Sequence, residues 1–261
     1  DGQDWYFFQN GQKLTGYGKD NAGTHYFVNG KYANWWYNDG QDWYFFQNGQ
    51  KLTGYGKDND GSHYFHNGRY SVDKNTPALN MPQYYQWDSR WRNRKYGVSN
   101  LAMSGCVPTS LAMVFSGLGQ EVLPTAVADT ISNGGGLNYG GFGTSAKGAA
   151  DAIKKYGYNY RVLKTKEQLV NALRNGESVL ATVQQGYFVR SAYATHAVVL
   201  SGFDNGKVRA LDPYNTNATG KWYNINEIWN QRSTADSDTM LGGSFTAIEN
   251  GSLSSTGYGE K

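Results

Sequence analysis

The chain has 261 residues, of which 39% are hydrophobic and 17% charged, and its formal net charge is +3. A charge this small, without a run of lysine or arginine, argues against a nucleic-acid partner, and no stretch approaches the roughly 18 apolar residues of a membrane span. The single cysteine excludes an intrachain disulfide and a zinc site built from several cysteines. The thiol therefore calls for another explanation.

The composition changes sharply near residue 75, which predicts two domains. We expect aromatic repeats over residues 1–72, a short linker over residues 73–80 and a catalytic domain over residues 81–261. The chain holds 34 Gly, 21 Tyr and 8 Trp, well above ordinary usage, and many of these residues lie in the first region. The two regions therefore have to be interpreted separately.

The first region is an internal repeat. Residues 1–21 recur almost unchanged at residues 39–59, and Asn-Gly pairs occur twice in each such period, at 10–11, 29–30, 48–49 and 67–68. Asn-Gly favours the two-residue type I′ turn of a β-hairpin, and each pair follows an aromatic run that suits a strand. Because one hairpin cannot bury its own aromatic side chains, we predict about four stacked hairpins in an all-β, solenoid-like array.

The glycine-rich Tyr/Trp hairpins resemble the choline-binding and glucan-binding repeats of Gram-positive surface proteins, and DWYFFQNGQKLTG is closer to the glucan-binding pattern. The resemblance implies that aromatic side chains between hairpins bind a cell-wall polymer, whether glucan, teichoic acid or peptidoglycan. A purely structural role in the stacked core is the alternative for each of them. The candidate polymer contacts are Trp5, Trp35, Trp36 and Trp43.

The second region mixes helical and extended segments. Helices are predicted after Cys106, from about residue 144 to 156, and after the capping box of Thr165 and Gln168. The segments SVLATVQQ, THAVVLSGF and KVRALD are rich in β-branched residues and predict strands. Helices followed by an antiparallel sheet give an α+β fold.

This second domain contains one cysteine and one histidine, Cys106 and His196, so only one thiol–imidazole pair is possible within it. Gly105 permits a close approach to the thiol, and Pro108 fits the first turn of the helix that follows. A thiol at the positive end of a helix, beside an imidazolium, is favoured as the nucleophilic thiolate. His196 opens a predicted strand, which would hold a catalytic base rigidly.

A catalytic base is usually held in one tautomer by a third group. Asp212 ends the strand that follows the one opened by His196. Because the two strands pair through the turn at residues 204–207, both residues have similar offsets from that turn and lie near the same sheet edge. The sequence therefore predicts that the cysteine, the histidine and the aspartate converge.

The motifs QYYQWDSRW, SGCVPTSLAMV, THAVVLSGF and LDPYN, in this order, resemble the papain-like cysteine peptidases related to the bacteriocin-processing, double-glycine family. The resemblance covers about residues 80–250 and implies a papain-like α+β domain. It assigns the nucleophile to Cys106, the base to His196 and the orienting carboxylate to Asp212.

The same resemblance implies an oxyanion hole formed by the backbone N–H of the nucleophile and by a glutamine of the upstream aromatic motif. Gln86 is the expected donor, and the nearby Gln83 is the alternative. Val107 departs from the glycine that commonly follows the nucleophile in this family, which affects the local backbone but leaves the thiol in place.

Together these features predict a secreted, cell-wall-associated cysteine peptidase that hydrolyses amide bonds of peptidoglycan through a thioester. Two alternatives stay open: a surface-retained peptidase for proteins or leader peptides, and a polymer-binding adhesin with a silent catalytic domain. We expect neither a cofactor nor a metal. His63 and His66 do not indicate a metal site, because Val28 occupies the position of His66 in the first copy.

Overall fold

The computed structural model describes residues 5–59, 61–70 and 76–252. The chain divides into two compact units, Asp1–Lys74 and Asn75–Lys261. Within the described ranges, no helix combines the length and the apolar character needed to cross a bilayer. The side chains of His63 and His66 lie outside the described part of the chain.

The first unit consists of short antiparallel strands. They are β1 Phe8–Gln9, β2 Gln12–Lys13, β3 Gly16–Asp20, β4 Gly23–Val28, β5 Lys31–Tyr32, β6 Trp36–Asn38, β7 Trp43–Gln47, β8 Gln50–Lys51, β9 Gly54–Asp58, β10 Gly61–His66 and β11 Arg69–Tyr70. They pair in small groups, β1-β2, β3-β4-β5, β6-β7-β8 and β9-β10-β11.

The four Asn-Gly pairs each close a hairpin. The asparagines have φ between 49 and 52° and the glycines between 73 and 79°, so both central residues are left-handed, as a type I′ turn requires. The turns join β1 to β2, β4 to β5, β7 to β8 and β10 to β11. Local turn chemistry therefore fixes the hairpins of this unit.

Successive hairpins are joined by a contact that recurs at equivalent positions of the repeat. The N–H of Phe7 donates to the carbonyl of Gly30, that of Tyr26 to Gly49, and that of Phe45 to Gly68, each at 2.7 Å. The ring stacks recur as well, with centroid distances of 4.4 Å for Phe7–Phe27, 4.8 Å for Tyr26–Phe46 and 4.5 Å for Phe45–Phe65. Each hairpin thus buries aromatic surface against its neighbour; the solenoid-like course of the whole array stays a prediction.

The second unit contains seven helices and eight strands within the described residues. In chain order these are β12 Lys95–Tyr96, β13 Ser99–Asn100, α1 Leu101–Ser104, α2 Cys106–Gly117, α3 Pro124–Asn133, α4 Ala146–Lys155, β14 Tyr158–Leu163, α5 Lys166–Arg174, β15 Ser178–Val183, β16 His196–Asp204, β17 Lys207–Leu211, β18 Trp222–Asn224, α6 Ile225–Asn230, α7 Asp236–Thr239 and β19 Phe245–Ser252.

Six of these strands form an antiparallel sheet in the order β14-β19-β15-β16-β17-β18. Helices α2, α3 and α4 pack in a core that includes Leu180 and Val199 of the sheet. A second core places α5 and α6 against the opposite face of the sheet, which carries the neighbouring residues of the same strands, such as Ala181 and Val198. The mixed α+β character predicted for this unit is confirmed, with helices on both faces of the sheet.

Two parts of this unit differ from the simple order of helices before strands. The sequence did not indicate β14 and β19, yet β19 comes last in the chain and lies between β14 and β15. The described part of the predicted linker, residues 76–80, is bonded to the sheet: Thr76 and Phe203 exchange two backbone hydrogen bonds of 2.8 Å, and the N–H of Leu79 donates to Ser201. Residues 73–75 lie outside the described ranges.

Candidate active site

Cys106 is the first residue of α2, directly after the short helix α1. A Cβ added to Gly105 would lie 2.5 Å from the carbonyl oxygen of Leu101, so the turn between the helices has no room for a side chain there. The first N–H groups of a helix have no acceptor within it. The thiol of Cys106 therefore lies beside unpaired backbone donors and the positive end of the helix dipole.

His196 lies beside both of its predicted partners. Its Nε2 donates to Oδ1 of Asp212 at 2.7 Å, and Cys106 is close enough to raise the pKa of the imidazole. Because Nε2 is occupied by the aspartate, Nδ1 is the ring nitrogen that faces the thiol. The structure thus brings together three side chains that come from distant parts of the chain.

The environment favours the charged form of His196. Burial lowers the pKa of the imidazole, but the hydrogen bonds and charges of Asp212 and Cys106 outweigh it and raise the pKa to about 10. The imidazolium therefore persists through neutral pH. It is held between a carboxylate and a sulfur, the arrangement that stabilises an imidazolium–thiolate pair.

Asp212 is fully buried and held by the turn that follows it. Its Oδ1 accepts the N–H groups of Tyr214 at 2.7 Å and Asn215 at 3.0 Å, in addition to that of His196. Its own N–H donates to the hydroxyl of Thr219 at 3.0 Å. The carboxylate is therefore fixed independently of the histidine.

The two glutamines of the upstream motif have different contacts. Gln83 donates to the carbonyl of Asp212 at 3.0 Å and accepts from the Thr219 hydroxyl, so it supports the aspartate turn. Gln86 is buried, its Nε2 donates to the carbonyl of Ala102 at 2.8 Å, and its backbone N–H donates to Pro213. Gln86 thus lies between the aspartate turn and the helix that precedes Cys106, with one amide hydrogen left to donate.

Most of the second unit matches a known protein family. Residues 78–237, more than half of the chain, match the Peptidase_C39 like family. The chain belongs to this family. It is a cysteine peptidase, and the paired thiol and imidazole lie within the matched residues.

Solved structures similar to this C39-like chain include three peptidases. A protein from Bacillus anthracis described as a putative C39-like peptidase shares 18% identity, with 69% of this chain and 100% of that chain covered, at a TM-score of 0.49. The peptidase domain of Streptococcus ComA, a bi-functional ABC transporter, shares 20% identity over 56% of this chain and 89% of that one, at a TM-score of 0.40. A double-glycine-motif protease from an AMS/PCAT transporter, solved with its leader peptide, shares 16% identity over 67% of this chain and 96% of that one, at a TM-score of 0.40. A comparison with curated proteins found no match.

Two residues of the C39-like unit that the sequence did not single out support the site. The hydroxyl of Ser110, one helical turn after Cys106, donates to the buried carbonyl of Ala197 at 3.2 Å and so fastens α2 to the strand of His196. The buried Tyr96 bonds to Thr144, and burial, followed by the nearby charge of Cys106, raises the pKa of its phenol. Ser110 lies within the motif SGCVPTSLAMV, but neither contact could be predicted from the sequence because each joins distant positions.

Exposed aromatic side chains flank the imidazole. The ring of Tyr214 lies edge-on to His196, with centroids 6.4 Å apart. The indole N–H of Trp87 donates to the carbonyl of Tyr214 at 2.8 Å, and Tyr85 stacks on Trp87 at 4.7 Å. An apolar rim therefore borders the histidine on the side of the aspartate turn.

The four tryptophans proposed from the repeats lie in two kinds of environment. Trp5 and Trp43, which occupy equivalent positions in the two long copies, are 98% and 58% exposed. Trp35 packs against Phe45 at 5.6 Å, and Trp36 packs edge-on against Phe45 and Phe65. Trp5 also lines a cavity of about 290 Å³ together with Tyr6, Phe7 and Tyr32. Trp5 and Trp43 thus offer free ring faces, whereas Trp36 contributes to the core of the unit.

Proposed function

We propose that this C39-like peptidase hydrolyses peptide bonds of peptidoglycan while its aromatic repeats hold it to a cell-wall polymer outside the cell. The observation that carries the catalytic part is the His196 side chain, which is bonded to Asp212 and lies close enough to Cys106 for the sulfur to raise its pKa. The exposed, periodic tryptophans support the anchoring part. A tether of this kind concentrates an enzyme on an insoluble substrate.

Acylation begins with Cys106 as the thiolate and His196 as the imidazolium. The thiolate attacks the amide carbonyl carbon, and the carbonyl oxygen becomes the oxyanion of a tetrahedral intermediate. The backbone N–H of Cys106 and the remaining amide hydrogen of Gln86 are the proposed donors to that oxyanion; loss of one such donor costs roughly 100- to 1,000-fold. His196 then gives its proton to the leaving amine as the C–N bond breaks.

Deacylation uses the same residues, with His196 now acting as a base instead of an acid. The neutral imidazole accepts a proton from water, and the oxygen of that water attacks the thioester carbonyl. Collapse of the second intermediate releases the carboxylic acid product and restores the thiolate and imidazolium. Asp212 keeps Nδ1 of the ring directed at the sulfur throughout, because it holds Nε2.

The substrate assignment is tested on purified cell walls. Walls are incubated with the protein and with Cys106→Ala, and released fragments are read by mass spectrometry for new amino or carboxyl termini. We expect fragments that depend on Cys106, whose ends identify the cleaved bond. Absence of release from walls, with cleavage of an added protein or leader-like peptide, would replace peptidoglycan with a protein substrate.

Anchoring is tested separately, by co-sedimentation of the full-length protein with the same walls. The double variant Trp5→Ala/Trp43→Ala removes both exposed indoles of the repeats, and we expect it to lose most wall binding. Trp222→Ala is the matched control, since Trp222 is also exposed but lies in the peptidase unit. Equal loss in both variants, or in neither, would refute the role of the repeat tryptophans.

A further inference from the structure

The peptidase unit contains a cavity that Cys106 does not line. It has a volume of about 240 Å³ and lies where β14 ends and β19 begins. Among the described residues that line it, the charged ones are Lys164 and Arg232, both cations, and none is a carboxylate. The adjoining helix α7 carries Asp236 and Asp238, neither of which lines the cavity, and Asp238 is buried and accepts the hydroxyl of Ser233. The cavity is therefore an electropositive recess.

One buried polar group in this cavity has no partner. Ser244 is only 7% exposed, and within the described part of the chain its hydroxyl has no hydrogen-bond partner. Other hydroxyls of the lining are engaged: Thr239 donates to Ala235, and Thr234 to Gln184. A buried hydroxyl without a partner is costly, so Ser244 is positioned to bond to something that enters the recess.

Two adjacent glycines, Gly242 and Gly243, line the recess. Gly242 has a φ of 95°, and the ammonium of Lys164 lies 3.6 Å from the position that a Cβ on Gly242 would take. A Cβ on Gly243 would lie 2.7 Å from the carbonyl oxygen of Leu163. The absence of side chains at both positions lets Lys164 lie over exposed backbone, a setting suited to an anion.

Arg232 also lines the recess and is held in place. Its guanidinium lies 4.8 Å from the ring centroid of Trp229 and donates one N–H to the carbonyl of that residue at 3.0 Å. A guanidinium has five N–H donors, so others remain for a ligand. Its planar fork matches the oxygens of a phosphate group.

We propose that this recess binds a tetrahedral oxyanion, a phosphate group, between Lys164, Arg232 and the hydroxyl of Ser244. Two cations and a hydroxyl donor meet the needs of such a group, and the volume accommodates it. The phosphate group belongs either to a free inorganic phosphate ion or to a phosphodiester within a polymer. Both share the chemistry that the recess recognises.

The recess lies at the same end of the sheet's strands as His196. Arg232 is bridged to Val183 of β15, and Val183 pairs with His196 on its other side. Adjacent strands are about 4.8 Å apart, so the backbones of Arg232 and His196 are roughly 10 Å apart. A bound phosphate group would therefore lie near the proposed cleavage site without contacting the thiol.

The test is an amide chemical-shift titration of the full-length protein with inorganic phosphate, at constant ionic strength set by sodium chloride. We expect saturable shifts at Gly242 and Gly243. Lys164→Met and Ser244→Ala should each weaken binding, the former by about tenfold or more. Lys166→Met is the matched control, because Lys166 carries the same charge nearby but bonds to Asn226 outside the recess.

A parallel titration with dimethyl phosphate distinguishes the sources. Binding of this diester supports a polymer phosphodiester, and binding of inorganic phosphate alone supports a free ion. Cys106→Ala should retain the binding, so failure of the catalytic proposal leaves this result unaffected. Shifts that do not saturate, or equal weakening by Lys164→Met and Lys166→Met, would overturn the proposal.

Discussion

The two units of this protein achieve order in opposite ways. In the repeat unit, one hydrogen bond and one ring stack recur from each hairpin to the next, so each hairpin depends on its immediate neighbours in the chain. In the peptidase unit, residues 86, 106, 196 and 212 meet because β16 pairs with β17, α2 is bonded to β16 through Ser110, and the N–H of Gln86 donates to Pro213. A change in a repeat should therefore weaken one copy among several, whereas a change at the cysteine site has no second copy to compensate.

The largest effect expected from this difference is at His196, the proposed catalytic base. His196→Ala removes the proton acceptor and the cation beside the thiolate, and we expect fragment release from purified cell walls to fall roughly 10⁴-fold. Trp43→Ala, a change in one repeat, should lower wall binding only several-fold because Trp5 remains. Comparable losses from the two changes would contradict the distinction between a single site and a distributed one.

Asp212→Asn is expected to lower the rate by roughly 10³-fold and to change its pH dependence. The pKa of His196 is raised to about 10 by Asp212 and Cys106 against the effect of burial. A raised histidine pKa stabilises the fold below its unfolded value of about 6.5, and that contribution is lost as the pH rises through the folded value. Acylation also needs the imidazolium as proton donor, so the alkaline limb of the rate of wall cleavage should lie near the pKa of about 10.

In Asp212→Asn that alkaline limb should move to lower pH, because the amide does not stabilise the imidazolium as a carboxylate does. The measurement is the rate of fragment release from pH 5 to 11, with circular dichroism at each pH to confirm that the fold persists. An unchanged limb would show that Asp212 does not set the charge of the histidine.

A stability comparison within the repeats tests their reliance on neighbours. Gly11 and Gly30 have similar φ values of 79° and 78°, but a Cβ on Gly30 would lie 2.9 Å from the carbonyl oxygen of Phe7, whereas a Cβ on Gly11 meets nothing within 4 Å. Gly11→Ala should cost about 1 kcal/mol from backbone strain, and Gly30→Ala about 3 kcal/mol because the contact with the preceding repeat is lost as well. Urea unfolding followed by tryptophan fluorescence measures both; equal costs would mean that the close contact between repeats contributes little.

The smallest effect concerns the link between the nucleophile helix and the strand of the base. Ser110→Ala leaves the buried carbonyl of Ala197 without this donor and should lower the free energy of unfolding by about 1–2 kcal/mol. Ser116→Ala, farther along the same helix with a hydroxyl bonded to Val122, is the control. We expect only Ser110→Ala also to lower the rate of wall cleavage; the same rate in both variants would limit Ser110 to stability.

What the sequence could predict follows the range of the interactions. The Asn-Gly turns depend on two adjacent residues, so the hairpins could be located from the sequence alone. Cys106 and His196 could be paired because the domain contains one residue of each type, and Asp212 because the turn at Asn205 and Gly206 sets the offset of its strand. The roles of Gln86 and Gln83 came from family resemblance, and their different contacts emerged only in the structure.

The elements that were missed depend on contacts between distant positions. Strand β19 is the last described element of the chain and pairs with β14, from which α5, four strands, α6 and α7 separate it, so no local pattern places it. Ser110 and Tyr96 stand out only once the helix and sheet bring them to the site. The cations Lys164 and Arg232 are likewise far apart in the sequence and meet only across the recess.

The most direct test of the central claim is the pH dependence of alkylation of Cys106 by iodoacetamide, which does not require knowledge of the natural substrate. The chain has a single cysteine, so mass spectrometry of the modified protein reports on this thiol alone. We expect the wild type to react readily at pH 6, because the imidazolium of His196 maintains the thiolate, and His196→Ala to react at that pH at least about tenfold more slowly. Equal rates for the two proteins at pH 6 would contradict an activated thiol and, with it, the proposed mechanism.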